Sequence, residues 1–122
     1  MSKILISVKP MYGEAILHGE KKFEFRTRVA SQKVESLILY ETAPVKAVVG
    51  EVAVLSVLSC SPSEMWEKTK EHGGITKQAF FTYFKGRKVA YAYVLGPAHA
   101  YGEKLCLSHY GINQAPQSYR YL

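Results

Sequence analysis

The chain has 122 residues, 48% of them hydrophobic, and a net charge of +6 from 16 Lys and Arg against 10 acidic residues, none of them Asp. That length suits one domain (1–122) with a core of its own and is too short for two. Two cysteines, Cys60 and Cys106, are too few and too far apart for a zinc ribbon, and the basic surplus fits a polyanionic partner without speaking to the fold.

The start, "MSKILISVKP", is basic and then apolar, but its apolar run is too short for a secretion signal or a membrane span, so a cytoplasmic protein with no membrane partner is expected. Residues 3–9 alternate enough for a strand. Pro10 fits the first position of a helix, where its missing N–H would have no partner anyway, and "PMYGEAILHG" should stop at Gly19. "KKFEFRTR" returns to strand periodicity. On an extended chain Phe23, Phe25 and Thr27 share one face, and Lys22, Glu24, Arg26 and Arg28 share the other.

"SLILYET" reads as a further strand, and "AVVGEVAVLSVLSC" as a long β-branched one that Gly50 bends or bulges. "SPSEMWEKTKEHGG" carries helix signals at both ends: Ser61 as N-cap, Pro62 after it, Glu64 three residues on, and Gly73-Gly74 as the stop. "TKQAFFTYFKG" predicts a short helix with Phe80, Tyr83 and Phe84 on one face. "KVAYAYVLG" is an alternating strand and "EKLCLSHYG" a candidate for another, before a tail rich in aromatics, "INQAPQSYRYL". Several strands with short helical inserts and no βαβ rhythm give a mostly β (α+β) fold, most economically a partly closed barrel. Both cysteines stand among apolar residues, which favours buried free thiols.

The cationic strand is the feature that asks for chemistry. Lys21, Lys22, Arg26 and Arg28 with Glu20 and Glu24 read simply as a solvated, ion-paired face. The alternative is a recognition strand, in which Glu24 holds the Arg26 guanidinium and the two together read a base edge. Interleaved aromatics strengthen that alternative, because single-strand binders stack bases on rings and follow phosphates with cations. Phe80, Phe84 and Trp66 are expected in the core, whereas Tyr40 and Tyr119 are candidates for a pocket. The four histidines fall in no ligand spacing, and there is no Gly-rich phosphate loop or nucleophile elbow, so neither metal nor cofactor is expected. Lys21, if desolvated near Glu24 or Glu71, would serve as a tuned base.

Taken in order, "ISVKPMYGEAILHGEKKFEFRTR", "LILYETAPVKAVVGEV", "MWEKTKEHGGITKQAFFTYF" and "APQSYRYL" resemble the ASCH family of the PUA-like superfamily of small β-barrels. The most specific piece is Gly-x-Lys-x-φ-Glu-φ-Arg, with φ apolar, here Gly19, Lys21, Phe23, Glu24, Phe25 and Arg26. The resemblance implies a PUA-like, partly closed barrel with a charged cleft that binds RNA or a modified nucleoside or nucleotide. It places Lys21, Glu24 and Arg26 in that cleft, and Pro10, Tyr12, Tyr40, Pro116 and Ser118 near its rim or packing wall. The ligand-binding residues expected on this basis are Lys21, Glu24, Arg26, Arg28, Tyr40, Ser118 and Tyr119.

One branch of the family hydrolyses the acetyl amide of N4-acetylcytidine without a metal, and its enzymes pair a Lys after the Gly with a Thr three residues on and a later Glu. Lys21 matches that Lys, Glu67 or Glu71 would supply the acid, and Glu24 stands where that branch has Thr. A carboxylate there would act as a general base for water rather than as a hydroxyl nucleophile. Thr27 does not replace the hydroxyl, since an odd position faces the other side of the strand. Two function classes therefore stand side by side: an RNA-binding module, and an amidohydrolase using Lys21, Glu24 and Glu71. Other family members have been described as nucleases, which would set Lys21, Arg26 and Arg28 against developing charge on phosphate.

Overall fold

A computed structural model describes residues 2–122. Six strands form one sheet: β1 (Lys3–Val8), β2 (Phe23–Arg26), β3 (Ser36–Glu41), β4 (Ala47–Cys60), β5 (Ala90–Leu105) and β6 (Tyr119–Tyr121). Three helices accompany them: α1 (Pro10–Leu17), α2 (Pro62–Thr69) and α3 (Lys77–Tyr83). The strand order is β2-β5-β4-β3-β1-β6, curled into a half-barrel. All pairings are antiparallel except β1 with β3. The mixed α+β half-barrel is the expected fold class.

The helix signals act as the sequence suggests. Pro10 opens α1, and the chain leaves it through Gly19 at φ 80°. Ser61 Oγ accepts from the Glu64 backbone N–H and caps α2, while Thr76 does the same for α3 through Ala79.

Burial on both faces explains the weak alternation in β1 and β3. Ile4, Ile6, Val8, Leu37 and Leu39 join the inner core with Val52, Tyr93 and Leu95. Leu5, Ile38 and Tyr40 point the other way, into a cluster with Val48 and Ile112. A strand covered on both sides reads as a continuous apolar run. A third cluster of Phe25, Met65, Phe80, Phe84, Ala90 and Ala92 sits where α2 and α3 meet the sheet. Phe80 is fully buried at its centre, with ring centroids 5.1 Å from Phe25 and 4.9 Å from Phe84.

Three expectations are corrected. "EKLCLSHYG" is not a separate strand: β5 runs unbroken to Leu105, and a 3₁₀ turn (Leu107–Tyr110) follows. Gly96-Pro97 does not end the strand because register shifts in the β4–β5 ladder absorb it between the Val52↔Ala98 and Val54↔Leu95 pairs. Cys106 is exposed, because the chain turns outward after Leu105, and its Sγ lies 2.8 Å from Ser108 Oγ; Cys60 is half-buried. Gly50 does mark irregular register, against both β3 and β5.

The strand order has one consequence for function. β2 and β6 are the two edges of the sheet, with β1 next to β6. Where the half-barrel curls round, Arg26 at the end of β2 donates from Nη2 to the Ser7 carbonyl on β1 at 2.8 Å, and its Nη1 lies 3.5 Å from the Ser118 carbonyl just before β6. One arginine thus ties the two edges together.

Candidate functional site

A cavity of about 230 Å³ opens at that seam, lined by Ser7, Val8, Lys9, Tyr12, Lys21, Glu24, Phe25, Arg26, Ile75, Ala79 and Tyr83. Four stretches of chain build it. β1 ends in it, α1 contributes Tyr12, β2 and the residues before it contribute the charged groups, and α3 lays Ala79 and Tyr83 along its wall. Ala79 and Tyr83 are four residues apart and so share one helix face, while Phe80 and Phe84 take the neighbouring face into the core.

Lys21 is the most constrained charge. It lies in the irregular segment before β2, so strand alternation does not govern its direction, and only 3% of it is exposed. Its Nζ donates to the Gly73 carbonyl at 2.6 Å and sits 4.7 Å from the Phe25 ring centre and 5.1 Å from that of Tyr12. The turn that offers this carbonyl is fixed in place, because Lys22 N–H bonds to the His72 carbonyl at 2.8 Å. Burial pulls the Lys21 ammonium down to about 8, with the Glu24 carboxylate opposing and Arg26 assisting that shift.

Glu24 is 6% exposed and ion-paired with Arg26: Nε lies 2.9 Å and Nη2 2.8 Å from the same oxygen, Oε2. Both contacts fall on one oxygen, so Oε1 has no protein partner among the described residues. A partly buried Arg held by a carboxylate and a backbone carbonyl is a positioned group rather than a free cation. The cavity therefore presents an acceptor at Glu24, a donor at Lys21 and three aromatic rings, Tyr12, Phe25 and Tyr83, in one small volume.

The profile of the ASCH domain matches residues 6–103. The chain belongs to the ASCH domain family. Among curated relatives, the large ribosomal subunit protein uL22 of Ureaplasma parvum serovar 3 is 31% identical over 120 residues, covering 98% of this chain and 39% of that protein. An ASCH domain-containing ribonuclease of Zymomonas mobilis is 29% identical over 92 residues, covering 75% of this chain and 62% of the relative. The chain thus spans less than two thirds of the length of each. The crystal structure of ASCH from Zymomonas mobilis superimposes with a TM-score of 0.90 at 25% identity, covering 98% of this chain and 87% of that one.

Within this ASCH domain the residues singled out from sequence fall into three groups. Lys21, Glu24 and Arg26 come together in the cavity with Tyr12. Arg28 and Ser118 lie beside it, in a side trough that shares Arg26 and Tyr83 with the cavity. Tyr40 and Tyr119 line neither space. Tyr40 shares the parity of Ile38 on β3 and is buried with it on the other face of the sheet; Tyr119 packs on the inner core and borders an open groove of the tail. Pro116 serves the wall, its carbonyl accepting from Ser7 Oγ at 2.7 Å.

The helical insert gives the cavity no carboxylate. Glu71 is exposed in the turn after α2 and Glu67 is exposed and paired with Lys70 at 2.8 Å, and neither lines the cavity. Sequence reasoning missed Ser7, Lys9, Ile75 and Ala79, and it set Tyr83 on one face with Phe80 and Phe84, whereas Tyr83 lies outside their core cluster and lines the cavity. The i, i+4 spacing of Ala79 and Tyr83, offset by one from Phe80 and Phe84, carried the signal for a second face on α3. Among the described residues no group of three His, Cys, Asp or Glu is placed to hold a metal, and no helix is long and apolar enough to cross a membrane.

Proposed function

We propose that this ASCH domain binds single-stranded RNA by taking one base into the cavity at the seam. The observation that carries the reading is one cavity lined by Glu24, whose Oε1 has no hydrogen-bond partner among the described residues, by Lys21, and by the rings of Tyr12, Phe25 and Tyr83. A carboxylate acceptor suits the exocyclic amine of cytosine or adenine, and an adjacent ammonium suits the ring nitrogen or carbonyl next to it. Unstacked bases are held by aromatic rings in this way, with edge hydrogen bonds supplying choice. A cavity of about 230 Å³ is below the usual range for drug-sized ligands and matches one flat ring system rather than a folded ligand. The charge balance of +6 supplies the sequence-independent part of affinity. The name of the Zymomonas mobilis relative, a ribonuclease, agrees in ligand class.

A labelled eight-nucleotide single-stranded RNA, titrated by fluorescence anisotropy at several salt concentrations, tests this. Affinity that falls with salt, and drops about tenfold in both Lys21→Met and Glu24→Gln, is the expected result, since each removes one charge-assisted contact. Equal affinity of wild type and both variants at low salt would overturn it.

A second reading is hydrolysis at the same place, favoured by one observation: a lysine brought to about 8 is partly deprotonated near neutral pH and so able to take a proton. Glu24 Oε1 is the carboxylate within the cavity that would position water, because Glu67 and Glu71 stand outside. Incubation with N4-acetylcytidine and chromatography for cytidine tests it, with Lys21→Ala as control. Turnover lost in the variant supports the enzyme, and no product removes it.

A further inference from the structure

Beside the cavity lies a trough of about 370 Å³, lined by Arg26, Thr27, Arg28, Tyr83, Gln117 and Ser118. It shares Arg26 and Tyr83 with the base-sized cavity, so the two spaces are neighbours across a single side-chain wall. Their chemistries differ. The cavity holds a carboxylate, three cations (Lys9, Lys21 and Arg26) and aromatic rings, whereas no carboxylate lines the trough.

The charge in the trough belongs to Arg28. Arg26 is neutralised by Glu24 and committed to the seam. Arg28 is exposed, and among the described residues it makes no ion pair and no side-chain hydrogen bond. Around it stand a hydroxyl, a phenol and a primary amide from Thr27, Tyr83 and Gln117, all of which donate to phosphate oxygens. An unpaired guanidinium with neutral donors and no competing acid has the composition of a phosphate site.

We infer that this trough is a phosphate subsite, seating the phosphodiester next to the base held in the cavity. The inference rests on the RNA reading proposed above and adds the direction in which the strand leaves the base: over β2 beyond Arg26 and against the tail, rather than toward α1. It assigns Arg28 to strand direction and Glu24 with Lys21 to the base.

The test uses the full chain and a set of five-nucleotide RNAs, each with one phosphodiester replaced by an uncharged methylphosphonate, against wild type and Arg28→Gln. In wild type one linkage is expected to stand out, its neutralisation weakening binding about fivefold to tenfold. In Arg28→Gln that linkage becomes indistinguishable from the others, and the salt slope drops by about 0.7, the value for one phosphate contact on a single strand. Arg28→Lys restores the charge without the fork and recovers part of the linkage preference. Arg28→Gln that weakens every RNA of the set by the same factor, with the linkage preference intact, would overturn the subsite while leaving the base-binding reading standing. Absence of RNA binding by wild type overturns both.

Discussion

Lys21 Nζ and the Gly73 carbonyl oxygen are 2.6 Å apart inside a wall made by Tyr12 and Phe25, so the charge at the centre of the site is anchored by backbone 52 residues away. This contact orients the ammonium, yet one carbonyl and two ring faces replace a full hydration shell incompletely, which is why the group titrates near 8.

The first prediction follows from that shift. Lys21 ordinarily titrates near 10.5 and titrates near 8 when folded, so the folded state binds this proton less well. Stability gained from this group is present above pH 10.5, falls as pH drops to 8, and stays low beneath it. Lys21→Met should therefore raise Tm at pH 7 and flatten the rise in stability between pH 8 and 10. The gain is capped at about 3 kcal/mol by the size of the shift, and reduced by the carbonyl of Gly73 left without its donor. Denaturant melts of both proteins at pH 7 and 10 check it; a variant less stable than wild type at pH 7 would refute the desolvation account.

Gly74 provides a second. It sits at φ 62°, and a Cβ there would lie 2.8 Å from Lys21 Cβ, the rigid root of that side chain. Gly74→Ala should cost about 2–4 kcal/mol, combining left-handed strain with the clash, and should weaken RNA binding by displacing Lys21. Gly19 is the control: its φ is 80° with nothing near a new Cβ, so Gly19→Ala should cost about 1 kcal/mol and leave binding unchanged. Urea melts with anisotropy titrations separate the two.

Arg26 joins β2 to β1 and the tail, and its fork is what allows the joining. Arg26→Lys keeps the charge but reaches only one partner at a time, so we expect a loss of about 2–3 kcal/mol. Amide exchange should accelerate selectively in β2 and around the partners of Arg26, Ser7 on β1 and Ser118 before β6, and remain slow in β4. Uniform acceleration would mean that the arginine stabilises the domain without acting at the seam.

A fourth prediction concerns a pair outside the site. Glu41 is 1% exposed, its Oε2 has no hydrogen-bond partner, and Gly13 packs directly against it. Burial, first, and then the neighbouring Glu14 push its carboxyl up to about 7, with Lys104 opposing. Because the folded value exceeds the usual 4.5, the stability this group contributes is full below pH 4.5 and is lost as pH rises through 7. Glu41→Gln should remove that loss, raising Tm at pH 8 by about 2–4 °C relative to wild type and by less at pH 5. Thermal melts across pH 5–8 decide the matter; parallel curves for the two proteins would show that Glu41 does not titrate in that window.

Local signals carried the fold well, and they carried the site unevenly. Ser61, Thr76, Pro10 and Gly19 act through neighbours a few residues away, so helix ends were readable directly. The ionic strand was readable because Lys21, Glu24 and Arg26 lie within six residues. The side on which Tyr40 lies was not readable, because β3 is buried on both faces and its alternation does not tell one from the other. The roles of Ser7 and Gly73 were invisible for another reason. They act through backbone carbonyls, which every residue has, and only the curl of the sheet makes these particular ones partners of Arg26 and Lys21.

The half-barrel leaves a gap between edges of four and three residues, β2 and β6. Edges that short are poor templates for a foreign strand, which needs a longer run of free amides and carbonyls to anneal. On the base-binding reading proposed above, the opening sorts visitors by shape before chemistry: it suits a flat ring and gives an extended polypeptide too little to hold.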